Sequence, residues 1–185
     1  KKIAPAYLFN GPRGTGKTQV AYFLSKMLGW GFLDTDQLLE KRQGLSSAEI
    51  IRSKGEVYFR NCEVELVKSI GFLRNHVISL GGGTFCSRKN RTKLRSYGFS
   101  VWLDVSPEVV ARRIVANPQE LIKRPLLKGK DKIYGSELVF EELLLIIEKL
   151  LKERVSSYSQ VDKIIRDDYS SAETCARNIY YSILG

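Results

Sequence analysis

The stretch Gly11-Pro12-Arg13-Gly14-Thr15-Gly16-Lys17-Thr18 decides the fold. It follows the apolar run Tyr7-Leu8-Phe9 and opens a helical pattern at Lys17, the strand, loop, helix context that a G-x-x-x-x-G-K-[ST] sequence requires. Glycines let the backbone curl so that successive N–H groups point inward, and the helix N-terminus adds partial positive charge that holds an anion. In such a loop Lys17 reaches the β- and γ-phosphates of a nucleotide, and Thr18 sets its hydroxyl on Mg2+. The loop does not say what accepts the phosphate, because binding modules, motor ATPases, GTPases and small-molecule kinases all carry it.

Outward from the loop, short strand-like runs alternate with longer helical ones. The strands are expected at Ala6–Asn10, Gly31–Asp34, His76–Leu80, Ser100–Asp104 and Lys163–Arg166, and the helices at Lys17–Leu28, Ala48–Ser53, Glu56–Leu73, Arg88–Tyr97, Pro107–Asn117, Glu137–Ser157 and Ala172–Ile183. This βαβα rhythm predicts an α/β fold with a five-stranded, mostly parallel sheet covered by helices on both faces. Ser106-Pro107-Glu108 supplies a cap, a first-turn proline and an acid, and Ser171 is expected to cap in the same way. Between Asn117 and Ser136 the periodicity stops, and the charged stretch from Asn117 to Asp131, with two prolines and a glycine, reads as a mobile lid over about 117–133 or as an ordinary surface connection. No repeat or linker divides the chain, so 1–185 is read as one domain.

Composition narrows the setting. With 43% hydrophobic and 10% aromatic residues, 185 residues bury one core and are neither disordered nor fibrous. No apolar run reaches membrane-spanning length, and the N-terminus passes from two lysines into the glycine-rich loop without the long apolar segment of a secretory signal. Cys62, Cys86 and Cys175 are odd in number and lack C-x-x-C spacing, so three plain thiols in reducing cytoplasm are expected. The formal charge of +10, from 30 basic and 20 acidic residues, favours an anionic partner. The densest basic run, Arg88 to Arg95, reads as the solvated face of a short helix, so neither nucleic acid nor membrane is expected as a partner.

The acceptor must be sought elsewhere in the chain. Val77-Ile78-Ser79-Leu80 has Ser79 where an ATPase strand would end in an acid, and no guanine-reading N-K-x-D is present, which moves the balance toward kinases that recruit Mg2+ with another acid. Phe32-Leu33-Asp34-Thr35-Asp36 closes the second strand, and strand carboxyl ends surround the ligand crevice of open parallel sheets. Along an extended chain a spacing of two points both acids the same way, where a cation and a hydroxyl-bearing ligand would separate their charges; the alternative is a cap pair for the turn that follows. Arg60 and Glu63 stand three apart on a helix, either as a site or as a surface ion pair. Gly81-Gly82-Gly83 after the third strand suits close backbone approach to a ligand, or a bare turn.

Taken in order, these motifs resemble shikimate kinase from Tyr7 to Ile183: the Gly11 to Thr18 loop, Asp34-Thr35-Asp36, Gly55-Glu56 with Phe59-Arg60 and Glu63, Ser79-Leu80-Gly81-Gly82-Gly83, and Arg124-Pro125-Leu126-Leu127. The resemblance implies a nucleoside-monophosphate-kinase-like fold and transfer of the ATP γ-phosphoryl group to the 3-hydroxyl of shikimate, with Mg2+ as cofactor and the two small molecules as partners of a monomer. It places ATP on Gly11, Pro12, Arg13, Gly14, Thr15, Gly16, Lys17, Thr18, Arg113 and Arg124, and Mg2+ on Thr18 and Asp34, the latter largely through water. It places shikimate on Asp36, Arg60, Gly81, Gly82, Gly83 and Arg154, in a subregion around 34–63, and makes Lys17, Asp36 and Arg124 catalytic, with Asp36 as base. Arg113 matches an arginine that packs on adenine. The sequence departs from the family pattern at Ile51, where many members place an aromatic, at Val155-Ser156 after Arg154, around Arg166 to Tyr169, and in a slightly longer lid approach over 118–123. His76 is expected to cap a surface strand edge, Trp30 and Trp102 to be core or rim, and Tyr180-Tyr181 to serve packing.

Overall fold

The computed structural model describes residues 4–117 and 137–184. Five parallel strands, β1 (Ala6–Asn10), β2 (Gly31–Asp34), β3 (His76–Ser79), β4 (Phe99–Asp104) and β5 (Lys163–Arg166), form one sheet in the order β2-β3-β1-β4-β5. The phosphate-loop strand is therefore central, and every strand points its carboxyl end to the same rim, where Asp34 stands in register with Ser79.

Alternation along the strands sends consecutive side chains to opposite faces. On one face Tyr7, Phe9, Val77, Val101 and Leu103 pack against Val20, Ala21 and Leu24 of α1 (Lys17–Leu28) and against Cys175, Ala176 and Ile179 of α8 (Ala172–Leu184). On the other, Leu8, Ile78 and Leu80 meet Val67 and Ile70 of α4 (Glu56–Ile70), Phe85 of a 3-10 turn (Thr84–Cys86) and Leu94 of α5 (Arg88–Tyr97). Two satellite cores complete the packing. Leu39 of α2 (Thr35–Gln43), Ile50 of α3 (Ser47–Lys54) and Phe59 and Leu66 of α4 form one. Val110 and Ile114 of α6 (Pro107–Val115) with Leu143 and Ile147 of α7 (Glu137–Tyr158) form the other. Among the described residues no helix is long and apolar enough to cross a membrane.

Three local expectations are corrected. The segment after Asp34 is a nine-residue helix, α2, capped by the Asp34 carboxylate, which accepts from the Gln37 N–H at 3.1 Å. Ser106 occupies the N-cap position of α6 but its side chain makes no capping bond; its N–H instead donates to Asp168 Oδ1 at 2.7 Å. His76 opens an interior strand and not a surface edge, with Nδ1 2.7 Å from the Arg74 carbonyl and its ring filling the space that a Cβ on Gly31 would need. Ser171 does cap α8, its Oγ accepting from the Thr174 N–H at 3.1 Å. Trp102 is core, Trp30 stacks on Tyr7, and Tyr180 packs against the first cluster.

Candidate active site

The loop after β1 owes its shape to glycines in the left-handed region: φ is +91° at Gly14 and +83° at Gly16, the N-cap residue just before α1. At Gly14 space also forbids a side chain, since a Cβ would stand 2.9 Å from Val110 Cγ1. Thr15 Oγ1 and Lys17 Nζ both donate to the Pro12 carbonyl, at 3.1 and 3.3 Å, so the largely buried Lys17 ammonium lies across the loop. Arg113 reaches in from α6, its guanidinium donating to the Thr15 carbonyl at 3.2 Å and to the Asp168 carbonyl at 3.4 Å. Beside it, a cavity of about 280 Å³ is bordered by Gly16, Arg113, Asp167, Ser170 and Cys175. Burial works to raise the Asp167 pKa, but the Ser170 and Tyr169 N–H groups it accepts from hold it below the ordinary value. The Cys175 thiol is pushed up to about 12 by burial and by the neighbouring Asp167 charge.

At the root of the loop three hard oxygens converge. Thr18 Oγ1 donates to Asp34 Oδ2 at 2.9 Å and lies 3.1 Å from Ser79 Oγ. Among the described residues no three His, Cys, Asp or Glu side chains cluster as a metal cage. One carboxylate and two hydroxyls at the phosphate loop suit Mg2+, which keeps most of its shell as water and nucleotide phosphate. Ser79 is a residue that sequence reasoning passes over, because it looks there for an acid.

Asp36 sits in the first turn of α2, so it and Asp34 are not parallel side chains of one extended run. Asp34 ends the strand with extended backbone and turns to Thr18, while Asp36 Oδ2 accepts from Arg13 Nη2 at 3.1 Å. The glycine turn closes on them: the Gly81 N–H donates to Thr35 Oγ1 at 2.8 Å, and a Cβ on Gly81 would lie 2.3 Å from Asp36 Oδ1.

Farther along the crevice, Arg60 is held by two carboxylates. Its Nη1 donates to Glu63 at 2.8 Å, and its Nη2 and Nε donate to Glu56 at 3.0 and 3.3 Å. Burial opposes its charge, but Glu63 and then Glu56 outweigh that and raise its pKa. Glu63 is 3% exposed and also accepts from Thr84 Oγ1 at 2.7 Å, which locks α4 to the turn that follows the glycines. A Cβ on Gly83 would meet Arg60 Nη1 at 2.5 Å. From α7, Arg154 donates to the Gly82 carbonyl at 3.3 Å, and the buried Tyr158 hydroxyl donates to the same oxygen. Burial raises the Tyr158 pKa. A cavity of about 320 Å³ opens between Arg60, Gly83, Cys86, Asn90 and Arg154. Thus Asp36, Arg60, the glycine triplet and Arg154 are brought to one rim beside the loop, whereas Arg124 and the rest of the expected lid lie outside the described residues. Thr35, Glu63, Thr84 and Tyr158 complete the cluster; the sequence marks Glu63 by its i, i+3 spacing from Arg60 and Tyr158 by its i, i+4 spacing from Arg154, but gives no sign of the contacts that Thr35 and Thr84 make.

The central phosphate-loop strand, the five-stranded parallel sheet and a charged crevice beside the loop define a P-loop kinase of nucleoside-monophosphate-kinase-like fold. A family model described as shikimate kinase matches residues 13–184. The chain belongs to the shikimate kinase family and, with it, to the ATP-dependent kinases. It is 36% identical over 156 residues to a shikimate kinase of Syntrophus aciditrophicus, covering 84% of this chain and 78% of that one. It is 34% identical over 173 residues to a shikimate kinase of Chlorobium limicola, with coverages of 91% and 83%. The fold superposes on a solved shikimate kinase from Bacteroides thetaiotaomicron with a TM-score of 0.86 at 27% identity, covering 98% and 99% of the two chains. For the Acinetobacter baumannii shikimate kinase in complex with shikimate the TM-score is 0.82 at 29% identity, with coverages of 97% and 93%.

Proposed function

We propose that this chain transfers the γ-phosphoryl group of ATP to the 3-hydroxyl of shikimate, giving ADP and shikimate 3-phosphate on the route to chorismate and the aromatic amino acids. The observation that carries this reading is the pairing, on one rim, of a phosphate loop with two arginines on the glycine turn and an aspartate between them and the loop. A small hydroxylated acid supplies the matching groups. Arg60 and Arg154 take its carboxylate, a task suited to planar guanidinium groups. Asp36 accepts hydrogen bonds from its hydroxyls and takes the proton of the attacking one. Gly81 to Gly83 line the acid with backbone, the close approach their missing Cβ atoms permit.

On the nucleotide side, N–H groups of Gly11 to Thr18 hold the phosphates, Lys17 leaves the Pro12 carbonyl for the β- and γ-phosphates, and Arg113 packs on adenine. Arg124 closes over ATP and meets the charge that redistributes in the transition state. Thr18 and Asp34, with Ser79 beside them, would hold Mg2+, which would supply positive charge to offset that of the nucleotide phosphates. Closure excludes the water that would otherwise hydrolyse ATP. The chain acts as a single-domain monomer in the cytoplasm, a setting to which its three free thiols are suited. Small molecules and not nucleic acid are its partners: within the basic run, Arg91 is already committed to the Phe85 and Cys86 carbonyls, at 2.9 and 3.0 Å.

The test is ADP release from MgATP with shikimate, gluconate, a nucleoside-monophosphate panel or no acceptor. Strong stimulation by shikimate alone is expected; stimulation only by another acceptor removes the roles given to Arg60, Arg154 and the glycines. Asp36→Asn is expected to lower turnover about a hundred-fold or more while ATP still binds, and near-normal turnover would remove the base role.

A further inference from the structure

Arg13 belongs to the phosphate loop by sequence but to the acceptor pocket by contact. Its guanidinium donates to Asp36 at 3.1 Å, with 43% of the Arg13 side chain and 25% of the Asp36 side chain exposed. Its stem lies against the acceptor-side turn: a Cβ on Gly82 would be 3.6 Å from Arg13 Cγ. The same residue is thus bonded to the aspartate that takes the acceptor hydroxyls and is two positions from Thr15, within the backbone that cradles phosphate.

We propose that Arg13 is a positioning residue that couples the two substrates. It occupies Asp36 while the nucleotide is absent, and it turns toward the anionic phosphates when the nucleotide binds, freeing Asp36 for the acceptor. A half-exposed ion pair is weak and readily exchanged. An incoming polyphosphate carries several negative charges against the single one of Asp36 and is bound by the loop that Arg13 belongs to, so the exchange runs toward the nucleotide. Because any such coupling is reciprocal, shikimate tightens the nucleotide by the same factor as the nucleotide tightens shikimate. Nothing covalent is involved, and the inference rests on the acceptor assignment made above.

Calorimetric titration of shikimate into the whole chain, with and without a non-hydrolysable ATP analogue and Mg2+, reads this coupling directly. In the unaltered protein the analogue is expected to tighten shikimate about ten-fold, within the usual range of coupling between sites. In Arg13→Met, which keeps the stem and removes the charge, shikimate is expected to bind several-fold more tightly without nucleotide, and the analogue to change it less than about two-fold. Arg13→Lys should retain an intermediate factor, a graded response that loss of packing alone would not produce. An undiminished factor in Arg13→Met with shikimate bound overturns this inference and leaves the function standing. An unaltered protein that binds the analogue but no shikimate overturns the acceptor assignment and this inference with it.

Discussion

The two ends of the crevice are built from different materials. The nucleotide end is backbone: an eight-residue loop whose left-handed glycines and helix start create the anion site within one continuous segment. The proposed acceptor end is side chain: Asp36 from α2, Arg60 and Glu63 from α4, Thr84 from the 3-10 turn, and Arg154 and Tyr158 from α7 meet around three glycines. A backbone site depends on local conformation and tolerates change at its margins, whereas a side-chain site depends on each long-range partner staying in place.

The sharpest way to break that contrast is at Lys17, the side chain that lies across the loop itself. Lys17→Met is expected to lower turnover about a thousand-fold, measured as initial ADP release, because a charge preorganised on the transferring phosphoryl is lost. Next comes Gly81→Ala, where the added methyl must displace the Asp36 carboxylate from 2.3 Å. Acceptor kcat/KM should fall about a hundred-fold with nucleotide affinity within two-fold, as expected for a displaced reacting group. Loss of nucleotide binding there would show that the two ends are not separately built. Arg60→Ala should raise the shikimate KM about ten- to a hundred-fold with little change in the KM for ATP, as expected for losing a charge-assisted pair; an unchanged shikimate KM would take Arg60 out of the carboxylate site. Smallest is Tyr158→Phe, which removes only the hydroxyl from the Gly82 carbonyl. A loss of about 1 kcal/mol in stability, read from denaturant unfolding, and a few-fold rise in shikimate KM are expected, since Arg154 still holds that oxygen.

The same contrast governs what can be read from the sequence. Strands β1, β2 and β5 and helices α1 and α5 match the expected spans to the residue, because each is bounded by a local signal such as Gly16, Gly29 or Ser87. Helix α2 is not visible in the apolar pattern: Thr35-Asp36-Gln37 reads as a polar turn, and the helix is set instead by the Asp34 cap and by Leu39 packing on Ile50 and Phe59 of its neighbours. At the site, the loop is legible because its chemistry and its order coincide. Thr35 bonding to Gly81, or Thr84 to Glu63, leaves no trace in spacing, since the partners are 46 and 21 residues apart and one of each pair is a plain hydroxyl. Ser79 shows the limit of reasoning by residue class, since the register of β2 with β3 brings a hydroxyl where an acid is sought.

The order β2-β3-β1-β4-β5 has one more consequence. Asp36, Arg60 and Glu63 all fall within the single crossover that leaves β2 and enters β3, residues 35–75, and its helices share a small core of their own. The crossover is a cassette: one splice at Asp34 and another at His76 would carry Asp36, Arg60 and Glu63 together to a different P-loop scaffold. The recipient would keep its own nucleotide loop, and Arg154 with the glycine turn would be the pieces left to supply. A contiguous fifth of the chain could thus change its charges while the phosphate loop, which lies outside it, stays as it is.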